Sequence, residues 1–260
     1  MNSPFNNKIA LVTGASSGIG EWFARHLAHQ GADLILVARR QDRLEALKQE
    51  FENHGARVWI FALDLAQPGA AQRLWELTEE QGLPVDILIN NAGFGQHGEF
   101  LDVDLDRHRN VLQLNINALT ELTWLFAHDM KQRGAGQILL VASIAAYMPV
   151  PEFSTYAASK SFVLSFGQSL HNELRPYGVD VTVLSPGGVA TEFMDVAGQK
   201  IDDWRTIAIM KPETVAADAL KALSRGRRVI IPGWLYKVSM TSLRLIPNAL
   251  QMMIGRMATH

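Results

Sequence analysis

Seven short runs of apolar, often β-branched residues recur along the chain, each followed by a longer stretch with helical periodicity. The runs are Ile9–Thr13, Leu34–Val37, Val58–Phe61, Ile87–Ile89, Ile138–Val141, Val181–Leu184 and Val229–Ile231. Their near-continuous apolar character predicts strands buried on both faces, as in a parallel sheet covered by helices. The intervening stretches are amphipathic: between Arg39 and Asn53, for example, Leu44, Leu47 and Phe51 share one face. Such alternation with right-handed crossovers leaves few topologies.

The expected fold is therefore α/β, a Rossmann-like doubly wound three-layer sandwich around a mainly parallel sheet of about seven strands. No internal repeat or linker interrupts it. A single domain is expected over residues 1–233, with a helical extension of the same domain over 234–260.

Bulk properties narrow the function. The 260 residues are 48% hydrophobic and 19% charged, enough for a substantial core. A net charge of -2 excludes a general nucleic-acid binder, which needs a basic footprint. The absence of cysteine excludes disulfides, thiolate nucleophiles and Cys-ligated metals. The histidines are scattered; His26 and His29 share a helix face without a nearby carboxylate, so no metal site is expected. Met1–Asn7 has no basic region followed by an apolar run, and no apolar stretch is long enough for a confident bilayer span. A cytoplasmic location is the expectation.

The loop Thr13-Gly-Ala-Ser-Ser-Gly-Ile-Gly20 joins the first strand to the first helix. Gly14 permits a tight turn, Gly18 a close approach of pyrophosphate, and Gly20 close packing of helix on sheet, while the helix N-terminus offers free N–H groups. Ser16, Ser17 and Ile19 complete this candidate dinucleotide cradle. The second strand ends in Ala38-Arg39-Arg40 with no carboxylate at its tip. A carboxylate there would bond a ribose 2′-OH and repel a 2′-phosphate, whereas Arg39, with Arg40 beside it, suits the phosphate. The expected cofactor is NADP(H) in preference to NAD(H). Asp64-Leu65 follows the third strand, placed either to receive an adenine amino group or to cap the helix beginning near Gln67. Asn91-Ala92-Gly93 follows the fourth strand, where small residues let backbone pass close to a ligand.

Ser143 stands at the carboxyl end of the fifth strand, the edge where ligands bind in such sheets. Tyr156 and Lys160 are an i, i+4 pair opening a long helix to about Arg175, which places phenol and ammonium on one face. The ammonium is expected to lower the phenol pKa, and a lowered value suits proton transfer to a carbonyl oxygen.

Together these residues resemble the short-chain dehydrogenase/reductase family, of the compact single-domain type, over residues 8 to about 231. The resemblance rests on Thr13-Gly-x-x-x-Gly-x-Gly20, Asn90-Asn-Ala-Gly93, Ser143, Tyr156-x-x-x-Lys160 and Pro186-Gly-Gly-Val-Ala-Thr191. It implies Tyr156 as catalytic acid/base, Ser143 orienting the substrate carbonyl, and Lys160 bonding the nicotinamide ribose. It also implies Asn115, ahead of its neighbour Asn117, as the holder of a proton-relay water. Pro186, Gly187, Val189 and Thr191 match positions around the nicotinamide carboxamide and a phosphate, and Arg39 matches the NADP-preferring subset. Gly93-Phe-Gly95, Gly98-Glu-Phe100 and the Val229–Gly233 ending are similar to a bacterial branch containing general short-chain reductases and relatives of ketoacyl-type reductases.

By the same resemblance, Ala190–Lys211 is a substrate lid. Its apolar content (Phe193, Met194, Val196, Trp204, Ile207) implies an apolar ketone, aldehyde or 3-ketoacyl substrate. Phe94, His97 and Phe193 are the candidate substrate contacts. The two alternatives are a non-catalytic NADP-binding sensor or scaffold and, less favoured, a nucleotide sugar epimerase, which usually has a longer chain. Homodimers or homotetramers through the Leu105–Arg133 and Tyr156–Arg175 helices are expected.

No acidic residue follows Asp218, whereas Lys221, Arg225, Arg227, Arg228, Lys237, Arg244 and Arg256 do. Beyond Trp234 lie two helical candidates separated by Pro247, the second with Leu250, Met253, Ile254 and Met257 in a stripe. This tail can close the pocket, form a subunit interface or lie on an anionic membrane; the first two rank higher because methionine-rich stripes usually pack on protein.

Overall fold

The computed structural model describes residues 3–192, 197, 209–243 and 251–252. Strands β1 (Ile9–Thr13), β2 (Asp33–Ala38), β3 (Val58–Ala62), β4 (Ile87–Asn90), β5 (Gly136–Val141), β6 (Val179–Leu184) and β7 (Val229–Ile230) form one sheet. Their order is β3-β2-β1-β4-β5-β6-β7, and every neighbouring pair is parallel. The helices are α1 (Gly18–His29), α2 (Gln41–Glu52), α3 (Ala70–Glu80), α4 (Leu105–Leu112), α5 (Leu119–Arg133), α6 (Ser154–Leu174), α7 (Pro212–Leu223) and α8 (Trp234–Leu243). A π-helical turn, Gln113–Ala118, joins α4 to α5.

Alternation along each strand divides the core in two. Leu34 and Leu36 of β2, with Ala10 and Val12 of β1, pack with Phe23 and Leu27 of α1, Leu44 and Phe51 of α2, and Val215 and Leu223 of α7. Ile35 and Val37, with Leu11, point the other way and pack with Leu74 of α3, Phe126 and Met130 of α5, and Val163 and Leu164 of α6. Strands read as continuous apolar runs are thus covered on both faces, giving the three layers.

The sheet order reverses between β1 and β4: one leads outward to β2 and β3, the other to β5 through β7. Such a switch point opens a crevice beyond the carboxyl ends of the strands. Thr13 ties its two sides together. Its hydroxyl donates to the Ile89 carbonyl (3.3 Å) and accepts from the backbone N–H groups of Asn91 and Ala92 (both 2.9 Å).

Beyond β6, Val189 and Met210 form an isolated parallel bridge. Ala190 N–H donates to the Met210 carbonyl (3.1 Å) and Met210 N–H to that of Gly188 (2.9 Å). These bonds join the two stems of the segment read as a lid. Phe193, Met194, Val196, Trp204 and Ile207 lie outside the described residues, as do Leu250, Met253, Ile254 and Met257 of the C-terminal stripe. No helix among the described residues is long and apolar enough to cross a membrane, and they hold no cluster of metal-ligating side chains.

Candidate active site

A cavity of about 490 Å³ lies at the switch point. Its lining brings together most of the residues singled out by sequence: Gly14, Ser16, Ser17, Gly18 and Ile19 from the first loop, Arg39 and Arg40 after β2, and Asp64 and Leu65 after β3. Asn91, Ala92, Gly93 and Phe94 join them after β4, Ser143 after β5, Tyr156 and Lys160 from α6, and Pro186, Gly187, Val189 and Thr191 after β6. Gly20 and Asn115 stand behind this surface, both buried.

The first loop is shaped by its glycines. Gly14 and Gly18 have φ of +66° and +60°, where a side chain is strained, and a Cβ on Gly18 would come within 3.0 Å of Thr191 Cγ2. At Gly20 a Cβ would lie 2.2 Å from the Gly14 carbonyl oxygen, so only glycine lets α1 begin this close to β1. Ser17 precedes α1 without a side-chain capping bond, and the first-turn residues Gly18 and Ile19 line the cavity. Loop, helix start and cavity volume fit the pyrophosphate of a dinucleotide.

At the end of β2 the two arginines behave differently. Arg39 is exposed at the cavity and has no hydrogen bond or ion pair among the described residues. Arg40 is engaged: its guanidinium donates to the Ser16 hydroxyl (3.2 Å) and to Glu192 (2.9 Å), and Arg43 reaches the same carboxylate at 3.1 Å. The hydrogen bond from Arg40 holds the Glu192 carboxyl below the usual carboxylate range. Glu192 was not anticipated; only its place directly after Thr191 could have drawn attention to it. Asp64 does not cap α3, which starts at Ala70 behind Gly69; its carboxylate instead accepts from Ala66 N–H (3.0 Å).

Tyr156 and Lys160 lie in the first two turns of α6, 9% and 4% exposed. Ser143 precedes a short 3₁₀ turn, its oxygen accepting from Ala145 N–H (3.1 Å), and it shares a hydrogen bond with the Tyr156 phenol. The Lys160 ammonium donates to the Val141 carbonyl (2.8 Å) and stands 5.7 Å from the centre of the Tyr156 ring. The expected depression of the phenol pKa is not observed. Burial pushes the phenol up to about 12, only partly opposed by Ser143. Burial also pulls the ammonium down to about 8. In this structure desolvation decides both directions, because each charged form has left water.

Behind the pair, the structure separates the two asparagine candidates. Asn117 is exposed and bonds only Gln113 on its own turn. Asn115 is fully buried; its amide donates to the Phe94 carbonyl (3.1 Å) and the Ser159 hydroxyl (3.0 Å) and accepts from Phe94 N–H (3.2 Å). Ser159 in turn donates to the Tyr156 backbone carbonyl (2.7 Å). It went unnoticed in the sequence although it sits between Tyr156 and Lys160.

Of the substrate candidates, Phe94 lines the cavity, while Phe193 lies outside the described residues. His97 does not line it: its Nε2 lies 2.9 Å from the Glu152 carboxylate, and its ring packs on Phe153. Its place after β4 pointed to the cleft mouth, but Glu152 draws it aside. The apolar wall near Tyr156 comes from Ile144, Met148, Val150 and Phe153, signalled only by their place between Ser143 and Tyr156.

Comparison with known proteins agrees with this architecture. The short chain dehydrogenase family matches residues 8–202. A short chain dehydrogenase of Pseudocercospora fijiensis is 36% identical over 71% of this chain, which spans 60% of that protein. A very-long-chain 3-oxoacyl-CoA reductase of Neurospora crassa is 38% identical over 66% of this chain and 53% of its own length. The chain thus spans little more than half of these curated relatives. Among solved structures, a short-chain dehydrogenase from Sphingobium yanoikuyae in complex with NADPH superposes with a TM-score of 0.81 at 33% identity, covering 93% of this chain and 97% of that one. By fold, by glycine loop and by sequence match, the chain belongs to the short-chain dehydrogenase/reductase family of oxidoreductases.

Proposed function

We propose that the chain interconverts a carbonyl and an alcohol using NADP(H), acting on an apolar ketone, aldehyde or 3-ketoacyl substrate. The observation that carries this is the hydrogen-bonded Ser143–Tyr156 pair, lining the same cavity as the glycine loop and Arg39. When bound, the nicotinamide supplies or accepts the hydride.

In the reductive direction the Ser143 and Tyr156 hydroxyls hold the carbonyl oxygen, and Tyr156 yields its proton as that oxygen gains charge. A phenol near 12 stays protonated throughout the neutral range and is an adequate acid toward an alkoxide. The phenolate then formed faces the Lys160 ammonium. Lys160, near 8, is able to pass a proton onward at physiological pH. Asn115, braced by Ser159 and Phe94, is assigned to the proton path beyond it.

Arg39 favours NADP(H): it is the cavity cation at the end of β2 without a partner among the described residues, the strand end itself carries no carboxylate, and the Glu192 carboxylate brought beside Arg40 is already paired with Arg40 and Arg43. The apolar wall of Ile144, Met148, Val150 and Phe153 supports an apolar substrate, as does the 3-oxoacyl-CoA relative.

The test is NADPH and NADH oxidation across aldehydes, ketones and 3-ketoacyl substrates of increasing chain length. Tyr156→Phe is expected to lower turnover by on the order of a thousandfold while NADPH binding persists. Near-normal turnover would overturn the mechanism. Tight NADPH binding by the unmodified chain without turnover of any substrate would identify a nucleotide sensor instead. Arg39→Ala is expected to raise the KM for NADPH about tenfold or more and leave that for NADH unchanged; equal effects on both would remove Arg39 from cofactor selection.

A further inference from the structure

Helix α8 is apolar on two opposite faces. Met240 and Leu243 point inward, 6% and 5% exposed, together with Tyr236. At 100° per residue, Trp234, Leu235 and Val238 fall on the other side, and they are 78%, 57% and 59% exposed. Three large apolar side chains on one outward stripe form a surface that water alone covers poorly.

A basic concavity of about 210 Å³ adjoins this stripe, lined by Lys221, Arg225, Arg227, Lys237 and Trp234, with Asp218 as its only acid. Arg228, next in sequence to Arg227, is exposed. Lys221, Arg225, Arg227 and Arg228 make no ion pair among the described residues. Residues 244–260 add Arg244 and Arg256 and no acidic side chain.

We propose that the outer face of α8 and this basic concavity form a docking surface for an anionic lipid membrane. Cations take the headgroup phosphates while Trp234, Leu235 and Val238 enter the boundary between headgroups and acyl chains, where an indole is favoured. Charge selects this occupant over a second copy of the chain. In a two-fold contact the patch would meet itself, setting cation against cation with a single carboxylate to offset them. The surface is not remote from the cavity. The Tyr236 ring, on the inner face of α8, lies against Gly187, and its hydroxyl accepts from Gly188 N–H (3.3 Å). Both glycines line the cavity.

Docking stands independently of the proposed reaction, and cosedimentation of the full chain tests it without turnover. Vesicles of phosphatidylcholine with one third phosphatidylglycerol are expected to bind the protein, pure phosphatidylcholine vesicles far less, and high salt is expected to release it. Combined Lys221→Gln, Arg225→Gln and Arg227→Gln is expected to weaken partitioning on the order of a hundredfold. Trp234→Ala with Val238→Ser is expected to weaken it at least several-fold. Far-UV circular dichroism and Tm, unaltered in both variants, certify their fold. Absence of binding to the anionic vesicles overturns the proposal, as do equal binding to neutral vesicles and undiminished binding by both variants. A change of oligomeric state in the Trp234 variant, read by light scattering, also overturns it, because the face would then be an interface between copies.

Discussion

Lys160 shows what a single buried side chain can do to stability. Its ammonium titrates near 8 in the fold, against 10.5 for the free side chain. The folded state therefore resists protonation more than the unfolded state does. Below about pH 8 both states carry the proton and folding bears the full desolvation cost; between about 8 and 10.5 the unfolded chain holds more protons, so stability rises with pH. Tyr156, raised from 10 to about 12, acts with the opposite sign, and its contribution lowers stability as pH rises through that interval. Lys160→Met is accordingly expected to stabilise the protein by about 2 kcal/mol at pH 7, from the pKa displacement less the lost bond to Val141. That gain should shrink toward pH 10, as followed by urea unfolding; a variant less stable at pH 7 would contradict it. The i, i+4 spacing in the sequence brought phenol and ammonium together but gave the wrong direction for the phenol pKa. Spacing reports neighbours on one helix, whereas desolvation depends on how the whole fold buries the pair.

At the level of elements, period and composition were enough to locate all seven strands, with ends differing by two residues or fewer. The interiors of the central strands are buried on both faces and admit few residue types; strand ends are less constrained. The long helix read over Leu105–Arg133 contains the π turn Gln113–Ala118, which nothing in its residues announces. Asn115 and Asn117 occur in the same turn, and where composition alone is silent and only the family resemblance favoured Asn115, the contacts with Phe94 and Ser159 set it apart. The glycine loop was legible because backbone geometry demands glycine directly. Gly20→Ala tests that demand: its Cβ would strike the Gly14 carbonyl. The expected cost is about 1–3 kcal/mol, read as a fall of several degrees in Tm, with weaker NADPH binding as α1 shifts; an unchanged Tm would show that α1 is not held this closely.

Across the whole molecule, most exposed large apolar side chains outside α8 among the described residues fall in two regions, Tyr177 and Met252 apart. Phe100, Leu101 and Leu105 lie before and at the start of α4, while Leu112, Trp124 and Phe162 lie on the α4–α6 helices. The second group falls on the helices through which the sequence reading expected copies to assemble. Trp124→Glu with Phe162→Glu is expected to yield monomers in light scattering; an oligomer of unchanged size would place the interface elsewhere. The stems joined by the Val189–Met210 bridge have a different consequence. Because backbone hydrogen bonds close that excursion at its base, its ends stay where β6 and α7 need them whatever sequence runs between. Doubling such a loop costs only about 0.6 kcal/mol in closure entropy. Evolution, or an engineer, can therefore exchange the intervening stretch for one of another length, while the sheet beneath records nothing of the exchange.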